Sequence, residues 1–401
     1  MFIYFGANLI NLNKILIEGC YIKRMVQKRV LILGDANAGI ITANKLRMHT
    51  DNDVDITVVG KSEYTYFKPD GVLIPFNEIN YKETFKKTDF VLNYGINRIK
   101  ALATKINLND HYVDLDNGKS ISYDYLVIAT GDRLVPEDVP GYNDGIYHFY
   151  DLNNVLKLKE GLESFNGGKI VVGPASVPFQ CPVAPSEFVF GIDKILKSRG
   201  LRDKSDITLI MPMDDVLPFK NVSDVVRSGF EENKINFIPK FKNVTVDGKS
   251  KTITSESGEK LNYDMLVLIP PHKGQEFLIK SGLSENTGYV TVDKTKLNYG
   301  DYDNVYVVGD AVDFPMKVGA MGHSMAAYVA SKIASQINGN YSETSFDGFM
   351  GCSTVFTDHT AFTLSFDYSS KPFLNFASHS DYFLKYISAD TYFSSILRGI
   401  L

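Results

Sequence analysis

RVLILGDANAGIITANKLRMHTDNDVDITVVG, residues 29–60, reads as strand, glycine turn, helix and second strand. A β-branched run stops at Gly34, and Ile40, Ile41, Ala43 and Leu46 then fall on one helical face before a second apolar run ends at Gly60. That order is a βαβ unit, which belongs to a parallel sheet covered by helices.

The plan is written twice. KIVVGPASVPFQ from Lys169, a helix from about Pro185 and DITLIMP through Met211 repeat the opening unit, and GKSISYDYLVIATG (118–131) is echoed by GEKLNYDMLVLIPP (258–271). Val30 to Ile170 and Tyr123 to Tyr263 share an offset of 140 positions (170 − 30 and 263 − 123), which predicts two domains of one plan. The expected division is an N-terminal extension over 1–25, a first repeat over 26–150, a second over 151–275, a return to the first domain over 276–340 and a tail over 341–401. The return contains the strand NVYVVGDAV (304–312) and a small-residue helix between Lys317 and Ile337.

Composition bounds the function. A chain of 401 residues that is 44% hydrophobic and 22% charged is long enough to bury a cofactor between layers. With 42 basic against 47 acidic residues and no basic stripe, nothing asks for nucleic acid. Three cysteines do not make a disulfide framework, so each is judged for reactivity. The first 24 residues lack a basic start and a small-residue cleavage site, which reads as no export signal; Met25 is an alternative start, which would set Cys20 aside. No uninterrupted apolar run is long enough to span a bilayer.

A glycine turn that enters a helix directs backbone N–H groups and the positive helix end at whatever lies above it, which suits a pyrophosphate. Gly34 and Gly39 occupy the right places, with Asn37 and Ala38 between them, but the middle glycine is Ala36. At the end of the second strand, where an acid ordinarily binds ribose, the chain has Gly60 and then Lys61. Alone this motif is weak. Two further strand ends strengthen it: Ala129, Thr130 and Gly131 in LVIATG, and Gly309 and Asp310 in VYVVGDAV. With these the chain resembles the two-dinucleotide-binding flavoproteins. The resemblance implies an α/β fold of two Rossmann-like domains of the FAD/NAD(P)-binding type, FAD as cofactor, and Asp310 as the acid that holds its ribityl or phosphate part.

The second repeat has lost its glycine turn. Gly173, Pro174, Ala175, Ser176, Val177 and Pro178 stand there, and proline removes donors that a phosphate needs, so NADH is not the expected reductant. In its place comes CPVAPSEF (181–188) directly before a helix. A cysteine near a helix N-terminus is biased toward thiolate, and Glu187 falls where it would cap the helix or accept a proton. From the residues alone, a reactive thiol and an inert buried cysteine are equal readings of Cys181.

Cys-x-x-x-Pro-x-Glu here, IPPHKG (269–274), Pro315, Lys317 and Gly319 after the GDA strand, and a late cysteine in GCSTVF (351–356) together resemble the sulfide:quinone oxidoreductase family. The flavoprotein subunit of flavocytochrome c sulfide dehydrogenase shares much of this. The resemblance implies that Cys181 and Cys352 form a redox pair beside FAD, with Glu187 near the thiol and Lys317 stabilising the negative charge of the reduced flavin, and that electrons from sulfide reach a quinone. It implies Gly34, Asn37, Ala38, Gly39, Lys61, Ala129, Thr130, Gly131, Gly309, Asp310, Lys317 and Gly319 as cofactor contacts. Many members carry a third cysteine where this chain has Tyr150.

HSDYFLKYISADTYFSSILRGIL (379–401) places aromatic and aliphatic residues at helical spacings, with a break expected near Ala389 and Asp390. Such amphipathic helices fit a membrane interface and imply peripheral attachment at the cytoplasmic face, with quinone passing aromatic residues such as Phe356 or Phe362. A homo-oligomer is left open. The histidines do not space with the cysteines as metal ligands, so no metal is expected. The competing readings are a type II NADH:quinone oxidoreductase, a cytochrome c-linked sulfide dehydrogenase and a non-catalytic FAD-binding paralogue.

Overall fold

The computed structural model describes residues 27–340, 344–357 and 359–400, so the N-terminal extension with Met25 lies outside the described residues. Strand β1 (Arg29–Leu33) leads through helix α1 (Asn37–His49) to β2 (Asp55–Val59), followed by β3 (Ile96–Ile99) and β4 (Tyr125–Ile128). The second repeat holds β5 (Gly168–Pro174), α2 (Ala184–Ser198), β6 (Ser205–Ile210), β7 (Asn236–Ile238) and β8 (Met265–Ile269). Then come β9 (Val305–Val307), α3 (Gly319–Ile337), the hairpin strands β10 (Met350–Val355) and β11 (Ala361–Phe366), β12 (Phe373–Leu374) and α4 (His379–Tyr392).

One parallel sheet has the order β9-β4-β1-β2-β3 and the other β7-β6-β5-β8. Val30 to Leu33 are buried, as strands covered on both faces must be. The repeat holds in the ladders: Val30 pairs with Tyr125 and Ile170 with Met265, each partner displaced by the same 140 positions. In each sheet the chain goes from the central strand to one neighbour and returns on the other side, so the topological switch point lies between β1 and β4, and between β5 and β8. Ligands of such sheets bind at the carboxyl ends of the strands at that point. The repeats differ in the turn that follows. Gly34 to Ala36 join β1 to α1, whereas Ala175 to Val183 join β5 to α2, and this longer turn carries Cys181.

The tail departs from the expected pair of amphipathic segments. Helix α4 runs unbroken through Ala389 and Asp390 to Tyr392. Beyond it the chain docks on the first domain: the Asn44 amide donates to the Leu397 carbonyl at 2.7 Å, and Arg398 donates to the Phe90 carbonyl at 2.7 Å. Tyr392 and Leu397 are fully buried against Ile40, Ile41, Val91 and Ala326. Helix-forming periodicity and core packing demand the same spacing, and here the core takes these residues.

Candidate active site

The turn after β1 is tight because its glycines cannot be replaced. Gly34 has φ +112°, and a Cβ there would lie 2.3 Å from the Ala129 carbonyl oxygen; one on Gly39 would lie 1.9 Å from the Gly34 oxygen. Ala36 caps α1 without a side-chain hydrogen bond, leaving the first helical N–H groups open to a ligand. Asn37 Oδ1 and Thr130 Oγ1 are buried and have no hydrogen-bond partner among the described residues. Gly131 and Gly319 border open space, and a Cβ on Gly309 would lie 3.2 Å from the Ala38 Cβ. A glycine cradle with orphaned polar atoms and an uncapped helix fits a dinucleotide such as FAD. Lys61 points elsewhere: it is exposed and paired with Asp116.

Beneath this cradle lies a buried polar cluster. The Gln180 amide donates to Asp132 Oδ1 at 2.6 Å and to Asp310 Oδ2 at 3.0 Å, while its oxygen accepts from Lys68 at 3.2 Å. Burial, with the neighbouring Asp310 charge second, pushes Asp132 up to about 7; burial also raises Asp310. Lys317 is no surface lysine. It is 2% exposed, its ammonium donates to the carbonyls of Asp310 and Val312 and lies 3.6 Å from the centre of the Tyr289 ring, and burial lowers its pKa. Asp132, Gln180, Lys68 and Tyr289 escaped the sequence reading; only the position of Asp132 immediately after the Ala129–Gly131 motif pointed to it.

Gln180 ends in Cys181, whose N–H donates to the Lys317 carbonyl at 2.6 Å and whose φ is +50°. Backbone hydrogen bonding thus ties the cysteine to the Lys317 loop. Cys352 arrives on β10, opposite Leu364 of β11. Both cysteines are free and partly buried, and their thiols are hydrogen-bonded to each other across 171 positions of sequence (352 − 181). This hydrogen bond, with the Lys385 ammonium, lowers the Cys352 pKa, and the same hydrogen bond raises that of Cys181.

Lys385 on α4 is the other residue that sequence reasoning missed, because a lysine 33 positions past the second cysteine (385 − 352) follows no motif. Its side chain is 11% exposed and ion-pairs with Glu187, 4% exposed. Glu187 does not cap α2; its Oε1 accepts the Val355 N–H at 3.0 Å and so pins β10 to the second domain. Tyr150 is buried next to Cys181, donating to the Gln180 carbonyl at 2.5 Å. It therefore fills the neighbourhood in which the sequence expected a third thiol.

A cavity of about 830 Å³ opens between the first domain and α4, lined by Asp70, Glu78, Phe90, Tyr386, Phe393 and Arg398 among others. Asp70 at its wall is pushed up to about 7 by burial, eased by Lys385. The expected quinone-side aromatics sit elsewhere: Phe362 is buried, and Phe356 packs on Phe190 and lines a smaller cavity with Glu187 and Lys194.

A model of the pyridine nucleotide-disulphide oxidoreductase family matches residues 28–334. The chain belongs to that family. Among members of the pyridine nucleotide-disulphide oxidoreductase family, the mitochondrial sulfide:quinone oxidoreductase of Dictyostelium discoideum is 26% identical over 391 residues, covering 92% of this chain and 86% of its own. The structure of the Aquifex aeolicus sulfide:quinone oxidoreductase is similar with a TM-score of 0.78 at 21% identity, covering 93% of this chain and 92% of that one. A chain in the Tetrahymena thermophila mitochondrial ATP synthase structure matches with a TM-score of 0.79 at 19% identity, covering 93% and 97%. The chain is thus an FAD-dependent, sulfide:quinone oxidoreductase-like flavoprotein with the expected α/β fold. The same fold also stands in an ATP synthase structure, so the fold alone does not fix the chemistry.

Proposed function

We propose that the chain oxidises sulfide to zero-valent sulfur at Cys181 and Cys352 and delivers the electrons to a membrane quinone. The observation that carries this reading is the meeting of two thiols beside the buried ammonium of Lys385. Hydrosulfide attacks the oxidised Cys181–Cys352 bridge. A bond to the incoming sulfur forms, the bridge bond breaks, and one cysteine carries a persulfide while the other leaves as thiolate. A second hydrosulfide removes the outer sulfur, so two thiolates remain, and their electron pair is given up as the bridge closes again. Bound FAD supplies the two-electron acceptor between this pair and the quinone. Gly34, Asn37, Ala38, Gly39, Ala129, Thr130, Gly131, Gly309, Asp310 and Gly319 would hold it. Lys317, with the N-terminus of α3, supplies positive charge against which a reduced cofactor is stable.

Lys385 holds the thiolate form, and the cavity against α4 offers quinone a place walled by Tyr386, Phe90 and Phe393. The NADH-linked reading is disfavoured because Pro178 interrupts the turn after β5 and removes a backbone donor that a phosphate would need. Stopped-flow mixing separates the readings. Sulfide should bleach the bound flavin and a short-chain quinone should restore it, while NADH leaves it oxidised; bleaching by NADH alone would replace this proposal with the rival.

Membrane contact is proposed for the outward side of α4. No helix among the described residues is long and apolar enough to cross a bilayer. Phe383, Leu384 and Ile387 are nevertheless exposed by 67%, 54% and 42%, beside Phe376 at 97%, while Tyr382, Lys385 and Tyr386 face the protein. This face suits an interfacial helix. Replacing Phe383, Leu384 and Ile387 together by serine touches no core contact, and should lower partition to liposomes roughly tenfold to a hundredfold. Unchanged sedimentation with vesicles would refute the contact.

A further inference from the structure

The strand-end acid expected to bind ribose is absent from β2, because residue 60 is glycine. The space above Gly60 is already taken. A Cβ built there would lie 2.1 Å from Asp35 Cγ and 2.2 Å from Asp35 Oδ1. Asp35 is the second residue of the turn after β1, directly after Gly34. Its carboxylate therefore stands where a side chain from the end of β2 would begin.

That carboxylate is held in place. Asp35 is 4% exposed, its Oδ2 accepts the Ser62 N–H at 3.0 Å, and it pairs with the Arg98 guanidinium, which reaches over from β3. Arg98 is shared: it also donates to Asp89 at 2.7 Å and to the Ser62 carbonyl. Among the described residues, the hydrogen bonds of Asp35 all fall on Oδ2. Oδ1, the oxygen nearer Gly60, is left with acceptor capacity.

We propose that Asp35 supplies, from the turn after β1, the ribose-binding carboxylate that β2 lacks, the acid and the glycine having changed places. The proposal rests on the reading that FAD lies with its pyrophosphate at this turn. Its adenosine ribose then donates a hydroxyl to Asp35 Oδ1, and Arg98 and Ser62 keep the carboxylate aimed at it. The arrangement is exclusive, since a side chain at position 60 and the carboxylate of Asp35 cannot occupy one space.

Deflavinated protein is titrated with FAD and, separately, with FMN, which lacks the adenosine half, and the melting temperature of each apoprotein is recorded. Asp35→Gly should weaken FAD roughly tenfold to a hundredfold, the loss of a hydrogen bond to a charged group, and leave FMN unchanged. Gly60→Glu in the presence of Asp35 should bind FAD poorly and melt early. Asp35→Gly combined with Gly60→Glu should recover most of the FAD affinity, because the carboxylate now comes from the strand end. Wild-type FAD affinity in Asp35→Gly would overturn the proposal. So would equal losses for FAD and FMN, or a double variant that folds as stably as Asp35→Gly yet stays as weak. The underlying reading is checked apart: Asn37→Asp, which puts a negative charge at the start of α1 without changing the backbone, must weaken FAD, and if it does not, the pyrophosphate is elsewhere whatever Asp35 does.

Discussion

Cys352→Ser is expected to leave the flavin oxidised when sulfide is added, with the stopped-flow rate of bleaching lower by at least roughly a thousandfold, as for loss of a covalent nucleophile. A serine hydroxyl cannot form the bridge that hydrosulfide attacks, so no electron pair enters. Cys181→Ser should behave alike, because each sulfur is the other's partner. Dithionite should still reduce the flavin in both variants, since none of the glycines of the cradle is altered. Sulfide-driven bleaching at a rate near that of the parent in either variant would dispose of the cysteine scheme while leaving the flavoprotein assignment intact.

Lys385→Met has two separable effects. The Cys352 thiolate loses the ammonium that helps to depress its pKa, so deprotonation moves to higher pH, and the pH midpoint for alkylation of the reduced protein by iodoacetamide should rise by roughly one to three pH units. The sign follows from charge alone: a cation favours the thiolate, and removing it favours the thiol. The second effect is structural. Glu187 becomes a buried carboxylate without its partner, which costs about 3–5 kcal/mol and lowers the denaturation midpoint. Adding Glu187→Gln should restore part of that stability, because a neutral amide still accepts the Val355 N–H, but should leave the alkylation midpoint high. An unmoved alkylation profile in Lys385→Met would show that the ammonium does not act on the sulfur.

Between them these variants test a constellation of which the sequence exposed only some members. Cys181 was visible because it precedes a helix in a turn that proline had made useless for phosphate, and Glu187 because it lies one helical turn in. The use made of Glu187 was not visible. A capping role depends only on neighbours three or four positions away, whereas its pairing with Lys385 and Val355 depends on a helix and a strand more than 160 positions further on. Gln180, Asp132 and Lys68 were hidden for the same reason, each an ordinary polar residue until the segment after β2, the turn after β4 and the Cys181 turn are brought side by side. The tail shows the opposite error. Its aromatic spacing is helical throughout, yet Tyr392 and Leu397 enter the core while Phe383 and Leu384 face outward. Apolar periodicity marks which residues share a face and carries no information on what covers it.

What the sequence by itself determined is the doubled βαβ plan. Strand and helix periods, the glycines that interrupt them and a shared 140-residue offset are local or repeating signals that do not depend on where distant segments lie. Only the tertiary structure decided that Cys352 meets Cys181, that Lys385 stands behind them, and that Asp35 fills the place left by Gly60. Those contacts join residues from separate elements, and burial of charge makes sense only once the opposite charge has been packed against it.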